Sequence, residues 1–266
     1  MLKTGWAFGV GDVSLAVTGP TGWVEPFADG WAPWACEAPG WGIQLVKDES
    51  LPKPGGPFFI ARPRFVEGSC HLQAQGFVGE ILPEEGYALL RAHPSAELGD
   101  LAYFVRSVFA LHAFDRGGLI FHAAGIVHEG AAYAFFGHSG SGKTTVARLS
   151  KGKPVLNDDL LLIGPADSGY KVWATPFGKR RNPQVLSASL RALLRLHQAR
   201  KDRLEPMPRG IALGELVANS PVVNADPSRA STLLSFWEGV SSGVPVFRLC
   251  FDRSNAFWEA IDAHFG

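Results

Sequence analysis

The stretch Gly137-His138-Ser139-Gly140-Ser141-Gly142-Lys143-Thr144 combines three glycines, two small hydroxyls, a lysine and a threonine at a spacing that suits phosphate binding. It satisfies G-x-x-x-x-G-K-[ST]. Gly137, Gly140 and Gly142 let the backbone turn successive N–H groups inward onto one anion. A helix opening near Lys143 would add the positive end of its dipole at the same point. The Lys143 ammonium can span β- and γ-phosphates, and the Thr144 hydroxyl is a hard oxygen ligand suited to Mg²⁺. Ser139, Ser141, Thr145 and the backbone of His138 complete the expected nucleotide cradle, whose ligands would be ATP and Mg²⁺. The competing reading, a Gly/Ser-rich turn that fits by accident, is disfavoured by context. An apolar segment, Ala131–Phe136, runs directly into the loop, and helix-compatible residues follow it.

Fifteen residues after Lys143, Asp158 and Asp159 interrupt an apolar run of Val155, Leu156 and Leu160 to Ile163. Buried carboxylates are costly unless paired or metal-bound. Neighbours on a strand point to opposite faces. One acid could therefore face Mg²⁺ and the other a nucleophile or a structural partner, which is a phosphotransfer geometry. The alternative is a turn, Asn157-Asp158-Asp159, that caps a neighbouring segment.

Around these residues the elements read as follows. Residues 1–96 are rich in Gly, Pro and Trp, with five of the eight tryptophans in the first 41 positions. Short apolar stretches at Trp6–Val10, Val13–Val17, Gly42–Val46 and Phe58–Ala61, punctuated by Gly-Pro, Pro-Gly and Gly-Gly, predict short strands and no long helix. The aromatic rings read as filling of a β-rich layer, the alternative being a stacking platform for sugars or bases. Spacings of three and four over Glu97–Phe114 predict an amphipathic helix stopped by Gly117-Gly118. Leu119–Val127 and Ala131–Phe136 predict a hairpin turning at His128-Glu129-Gly130, with His128 exposed and inert at its tip. A short helix from Lys143 to Ser150 follows, then strands at Val155–Ile163 and Lys171–Ala174. Leu186, Leu190, Leu193, Leu194 and Leu196 predict a helix from Val185 to about Arg203. A last helix begins at an N-cap Ser254 and carries Phe257, Trp258, Ile261 and Phe265.

Composition sets limits. The chain has 266 residues, 46% apolar and 19% charged, the balance of a globular protein. Its net charge of zero argues against a nucleic-acid coat. Three scattered cysteines give neither a zinc knuckle nor a disulfide framework. With no cleavage signature near Met1 and no apolar run of membrane length, the expectation is a cytoplasmic protein. One local excess stands out. Nine basic residues against two acids lie between Lys179 and Arg209. Lys179, Arg180 and Arg181 read either as a clamp on the transferring phosphate or as solvated charges.

The segment from His122 to Ile163, Phe-His-Ala-Ala-Gly-Ile-Val before the glycine loop and Val-Leu-Asn-Asp-Asp-Leu-Leu-Leu-Ile after it, resembles the catalytic domain of HPr serine kinase/phosphorylase-related proteins. That family shares a P-loop kinase fold with ATP-dependent phosphoenolpyruvate carboxykinase. The resemblance implies an α/β, mixed-sheet catalytic domain over 97–266 beside a β-rich N-terminal region over 1–96. It implies that Asp159 accepts the proton of a substrate serine, that Asp158 supports the metal or the histidine, and that His122 at the family spacing holds Asp159 or assists the transfer. Lys143 and Thr144 match the family's loop lysine and metal-binding hydroxyl. The chain departs from the family where a Glu ligand and Arg-Gly-Leu-Gly would follow; Trp173-Ala174-Thr175-Pro176-Phe177-Gly178-Lys179-Arg180-Arg181 stands there instead. The resemblance therefore carries neither phosphorylase activity nor the protein HPr as substrate to this chain. The implied activity is transfer of the ATP γ-phosphoryl group to a hydroxyl, on a small protein or peptide. A small-molecule kinase and a non-catalytic ATP-binding regulator remain alternatives. No nucleic-acid or membrane partner is expected, and a homo-oligomer is compatible with the sequence.

Overall fold

The computed structural model describes residues 3–37, 39–178, 182–252 and 254–266. The fold is mixed α/β, with two mixed sheets and six α-helices among the described residues. The chain divides into two compact units. The first holds residues 1–116 with 225–227, and the second holds 117–224 with 228–266. The division falls at Arg116, so the helix after residue 97 belongs to the first unit rather than to the catalytic segment in which the sequence reading put it.

In the first unit, β1 (Lys3–Val10) and β2 (Val13–Pro20) form a hairpin, followed by α1 (Thr21–Gly30) and β3 (Trp41–Lys47). Then come β4 (Arg64–Val66), β5 (Ser69–Ala74), β6 (Phe77–Leu82), β7 (Tyr87–Ala92) and α2 (Leu98–Asp115). The sheet order is β1-β2-β3-β7-β6-β5-β4, with β2, β3 and β7 mutually parallel. A parallel neighbour needs a crossover, and α1 lies in the connection from β2 to β3. Helix α1 is a correction to the strands-only expectation; Pro26 and its two glycines mask it in the sequence. Phe58–Ile60 is a 3₁₀ turn rather than a strand. The aromatic residues fill the core: Phe8 is fully buried, with ring centroids 5.2 Å from Trp31 and 5.8 Å from Phe109. Helix α2 opens on a capping box, Glu97 with Asp100.

In the second unit, β8 (Leu119–His128) and β9 (Ala131–Phe136) make the expected hairpin. Its turn has φ of 50° at Glu129 and 79° at Gly130, the mirror-image conformation that matches strand twist. Next come α3 (Lys143–Leu149), β10 (Val155–Asn157), β11 (Leu160–Pro165), β12 (Tyr170–Ala174), β13 (Ser187–Gln198), β14 (Arg203–Pro206), α4 (Arg209–Ala218), α5 (Ala230–Gly243), β15 (Val246–Phe251) and α6 (Phe257–Phe265). Strands β8 and β13 each change partners along their length. Leu119–His122 pairs with β11, while Ala123–His128 pairs with β9. Ser187–Ser189 pairs with β12, Ser189–Arg195 with β9, and Leu193–Gln198 with β15. The phosphate-type loop therefore leaves β9 beside β13, at the ends where β9, β13 and β15 run parallel.

The helix predicted over Val185–Arg203 is wrong: this segment is β13. It is flanked on both sides by parallel neighbours, and Ala192, Leu193, Leu194 and Leu196 are buried. Leu190, Ala192, Leu194 and Leu196 alternate with the more exposed Ser189, Arg191, Arg195 and His197, but Leu193 breaks the alternation, and Leu, Ala and Arg are strong helix formers. Tertiary pairing outweighs that propensity. The last helix begins at Phe257, and Ser254 takes the N–H of Ala256 instead of capping the helix. Among the described residues, no helix is long and apolar enough to cross a membrane.

Burial gives the first unit a pH-dependent feature in the acid range. His112 on α2 is 6% exposed and stacks on Trp41 at 4.5 Å. Burial, reinforced by the Arg116 charge, pushes its pKa down from 6.5 to about 4. The native state thus holds the ring neutral while the unfolded chain takes up a proton below pH 6.5. Stability should fall by up to about 3 kcal/mol as pH drops from 6.5 to about 4. Urea titrations across that range measure it, and His112→Leu should flatten the acid limb.

Candidate functional site

The loop between β9 and α3 is shaped by its glycines. Gly142 has φ 115° and precedes Lys143, the first helical residue. A Cβ at Gly142 would lie 2.7 Å from Phe251 Cζ, so both the backbone conformation and the packing against β15 require glycine there. Helix α3 starts with the Val146 N–H donating to Gly142 O at 2.8 Å. The far end of α3 is fixed by Ser150, whose Oγ accepts from Trp258 Nε1 at 3.1 Å. The strand, loop and helix are thus held from both sides by one core that includes Phe135, Val146, Leu196, Phe251 and Phe257.

A cavity of about 540 Å³ opens at this loop. It is lined by Ser139, Gly140, Gly142, Lys143, Thr144 and Thr145 from the loop and α3, and by His122, Asp158, Asp159, Phe177 and Gly178 opposite. Lys143, Thr144, Thr145, Asp158, Asp159 and His122, all singled out from sequence, therefore share one cavity. Gly137, His138 and Ser141 do not line it. Gly137 and Ser141 are buried, and exposed His138 turns its Nδ1 to Ser139 O at 2.7 Å. Lys179, Arg180 and Arg181 lie outside the described residues.

The cavity has a buried end and an open end. Lys143 is 7% exposed, and its Nζ donates to Gly137 O at 2.6 Å and His138 O at 3.2 Å. Burial holds its pKa below 10.5, and the charge of Asp159 partly offsets this. Asp158 is 9% exposed, and its Oδ1 is buried with no hydrogen-bond partner among the described residues. At the open end His122 Nε2 lies 3.1 Å from Asp159 Oδ1, with side chains 35% and 44% exposed. The main chain of His122 is pinned where its N–H donates to Asn219 O at 2.8 Å.

The acids do not alternate across a strand, as the sequence suggested. They occupy the turn between β10 and β11, which lets both reach one cavity. Asn157 makes that turn. It is fully buried, and its Oδ1 accepts from the N–H of Asp158 at 2.7 Å and of Asp159 at 3.1 Å. Its Nδ2 donates to Thr175 O at 2.8 Å. The capping turn and the functional carboxylates are therefore one structure. Sequence reasoning missed Phe177 and Gly178 as cavity walls, Thr175 as a hub, and Gln198, whose Nε2 donates to Gly140 O at 3.2 Å. Only the Pro-Phe-Gly run hinted at a loop there. His128 is not an inert tip: Nε2 meets Asp262 at 2.7 Å, Nδ1 meets Lys153 Nζ at 2.7 Å, and its side chain is 13% exposed.

The donor set fits a triphosphate with a hard cation. A lone buried carboxylate oxygen and the Thr144 hydroxyl are oxygen ligands of the kind Mg²⁺ takes, with phosphate and water completing its shell. Among the described residues no group of three or more His, Cys, Asp or Glu is placed to hold a metal by itself. No family model matches the sequence, and no curated protein matches it.

The depressed pKa of Lys143 has a measurable consequence. Below its folded pKa the ammonium is charged in both states and its burial cost is fully felt. That cost disappears as pH rises toward 10.5, because the native side chain releases its proton first. Lys143→Met removes this titration. Wild type should gain stability relative to Lys143→Met as pH climbs from 7.5 toward 10.5, read by urea midpoints at each pH.

Proposed function

We propose that this chain is an ATP-dependent phosphotransferase of the HPr-serine-kinase-related type, moving the γ-phosphoryl group to a hydroxyl, a serine on a small protein or peptide. The second unit is then a P-loop kinase core of the kind shared with ATP-dependent phosphoenolpyruvate carboxykinase. The strand–loop–helix order of β9, the glycine loop and α3 supports this. One observation carries the reading: Asp158 and Asp159 line the same cavity as Lys143 and Thr144.

The chemistry divides along the cavity. Loop amides and Lys143 bind the β- and γ-phosphates, with Nζ exchanging the Gly137 and His138 carbonyls for phosphate oxygens. Thr144 and the free Oδ1 of Asp158 would hold Mg²⁺, which when bound neutralises charge on the β- and γ-phosphate oxygens. Asp159 takes the proton of the acceptor hydroxyl as its oxygen bonds to the γ-phosphorus and the bond to the ADP oxygen breaks. His122 keeps that carboxylate oriented. Because Asp159 and His122 sit at the solvent-facing end, the acceptor can enter while attached to a larger molecule, which favours a protein-borne hydroxyl over a fully enclosed metabolite.

Three variants separate this reading from its rivals. Asp159→Asn should lower turnover by about 10²–10⁴-fold while ATP binding by calorimetry persists. Lys143→Ala should abolish ATP binding. Asp158→Asn should remove the Mg²⁺ dependence of binding. Wild-type protein that binds ATP but phosphorylates neither its own serines nor any protein or peptide acceptor would mark a regulator instead.

A further inference from the structure

We propose that Asn157 is a positioning residue that couples the acidic pair to the segment of Phe177 and Gly178, which lines the same cavity. The inference rests on the phosphotransfer reading. A single fully buried amide bonds in two directions. Its oxygen collects the N–H groups of Asp158 and Asp159, at 2.7 and 3.1 Å. Its NH₂ group donates to Thr175 O at 2.8 Å and to Thr175 Oγ1 at 3.2 Å.

Thr175 extends the bracket. It is fully buried, and its hydroxyl donates to Leu160 O at 2.7 Å, the residue just after the acids. The same oxygen accepts from the N–H of Phe177 at 3.4 Å. The bracket therefore closes on the segment that supplies Phe177 and Gly178 to the cavity. Gly178 packs so tightly over the amide that an added Cβ would sit 2.0 Å from Asn157 Oδ1. That distance is far inside contact, so the position accepts glycine only while Asn157 stays in place.

Two consequences follow for the chemistry. The direction of Asp158 and Asp159 is set by an amide that never touches the nucleotide. The wall opposite the glycine loop moves with the acids as one body, and the basic run Lys179–Arg181 leaves directly from it in sequence. An Ala at 157 would offer neither bond. The device therefore belongs to the side chain this sequence places at 157.

Thr175→Val, which keeps the shape and loses the hydroxyl, and Asn157→Ser, which loses the amide, test the inference, with Thr175→Ser as the rescue. We expect Thr175→Val and Asn157→Ser to lower kcat for phosphotransfer by about 10–100-fold, the range for groups that orient a ligand from behind. KM for ATP and ATP affinity without Mg²⁺ should stay within about threefold, because the glycine loop is untouched. Thr175→Ser should restore kcat. Hydrogen–deuterium exchange should rise together in segments 157–160 and 175–178 of the two damaging variants, with 137–149 still protected. Wild-type kcat in both variants, or exchange rising in one segment alone, overturns the coupling. Should wild type show no phosphotransfer, the functional reading fails, and the joint or separate rise in exchange still decides the coupling by itself.

Discussion

A buried ammonium and a buried carboxylate oxygen face one cavity, and neither has a charged partner commensurate with its cost. Among the described residues, Lys143 donates to two loop carbonyls, and Asp158 Oδ1 has no hydrogen-bond partner. Groups of this kind are retained against stability where a ligand completes them. The rest of the second unit can be understood as the apparatus that keeps these two groups apart and aimed. The loop holds the lysine from one side, and the β10–β11 turn holds the acid from the other.

That apparatus is made of backbone more than of side-chain contacts. Parallel strands β9, β13 and β15 end together, so the β9 loop emerges beside the ends of its neighbours, where α/β sheets bind ligands. Phe251 at the end of β15 fills the space under Gly142. Strand β8 begins with a run paired to β11, which brings His122 opposite Leu160, one residue beyond the acids. Thus the hairpin before the loop and the strand after the acids are neighbours in one sheet. The 3.1 Å contact between His122 and Asp159 follows from register rather than from sequence proximity.

What could be read beforehand was the local chemistry. The glycine loop, the hairpin feeding it, helix α2 and the acidic pair are each specified by neighbouring residues. Hidden features depended on distant partners. The Leu-rich segment of β13 looks helical because Leu193 interrupts its alternation and Leu, Ala and Arg favour helix. Helix α4, with Gly210 and Gly214, and helix α5, with Gly239 and Gly243, carry residues that weaken helical signals. The second wall of the cavity, Phe177 and Gly178, is set by Asn157 reaching across to Thr175, a pairing that no spacing rule announces. The tryptophans near the start gave the right layer, since large rings can fill a thin core, but not the crossover helix between β2 and β3.

Moving the basic segment from helix to strand also changes what its charges can do. On a helix, Arg191, Arg195 and Arg203 would have presented a continuous cationic face. On the sheet they separate. Arg191 donates to Phe265 O, Arg195 pairs with Glu215, and Arg203 pairs with Glu205, which also takes Arg248. Each of these three is engaged in local structure. Only the far end of the strand, where Gln198 reaches Gly140 O, touches the glycine loop. Among the described residues that line the cavity, Lys143 is the one Lys or Arg. Its aim, and that of the acids, is what the buried contacts at Gly142, Asn157 and Thr175 maintain.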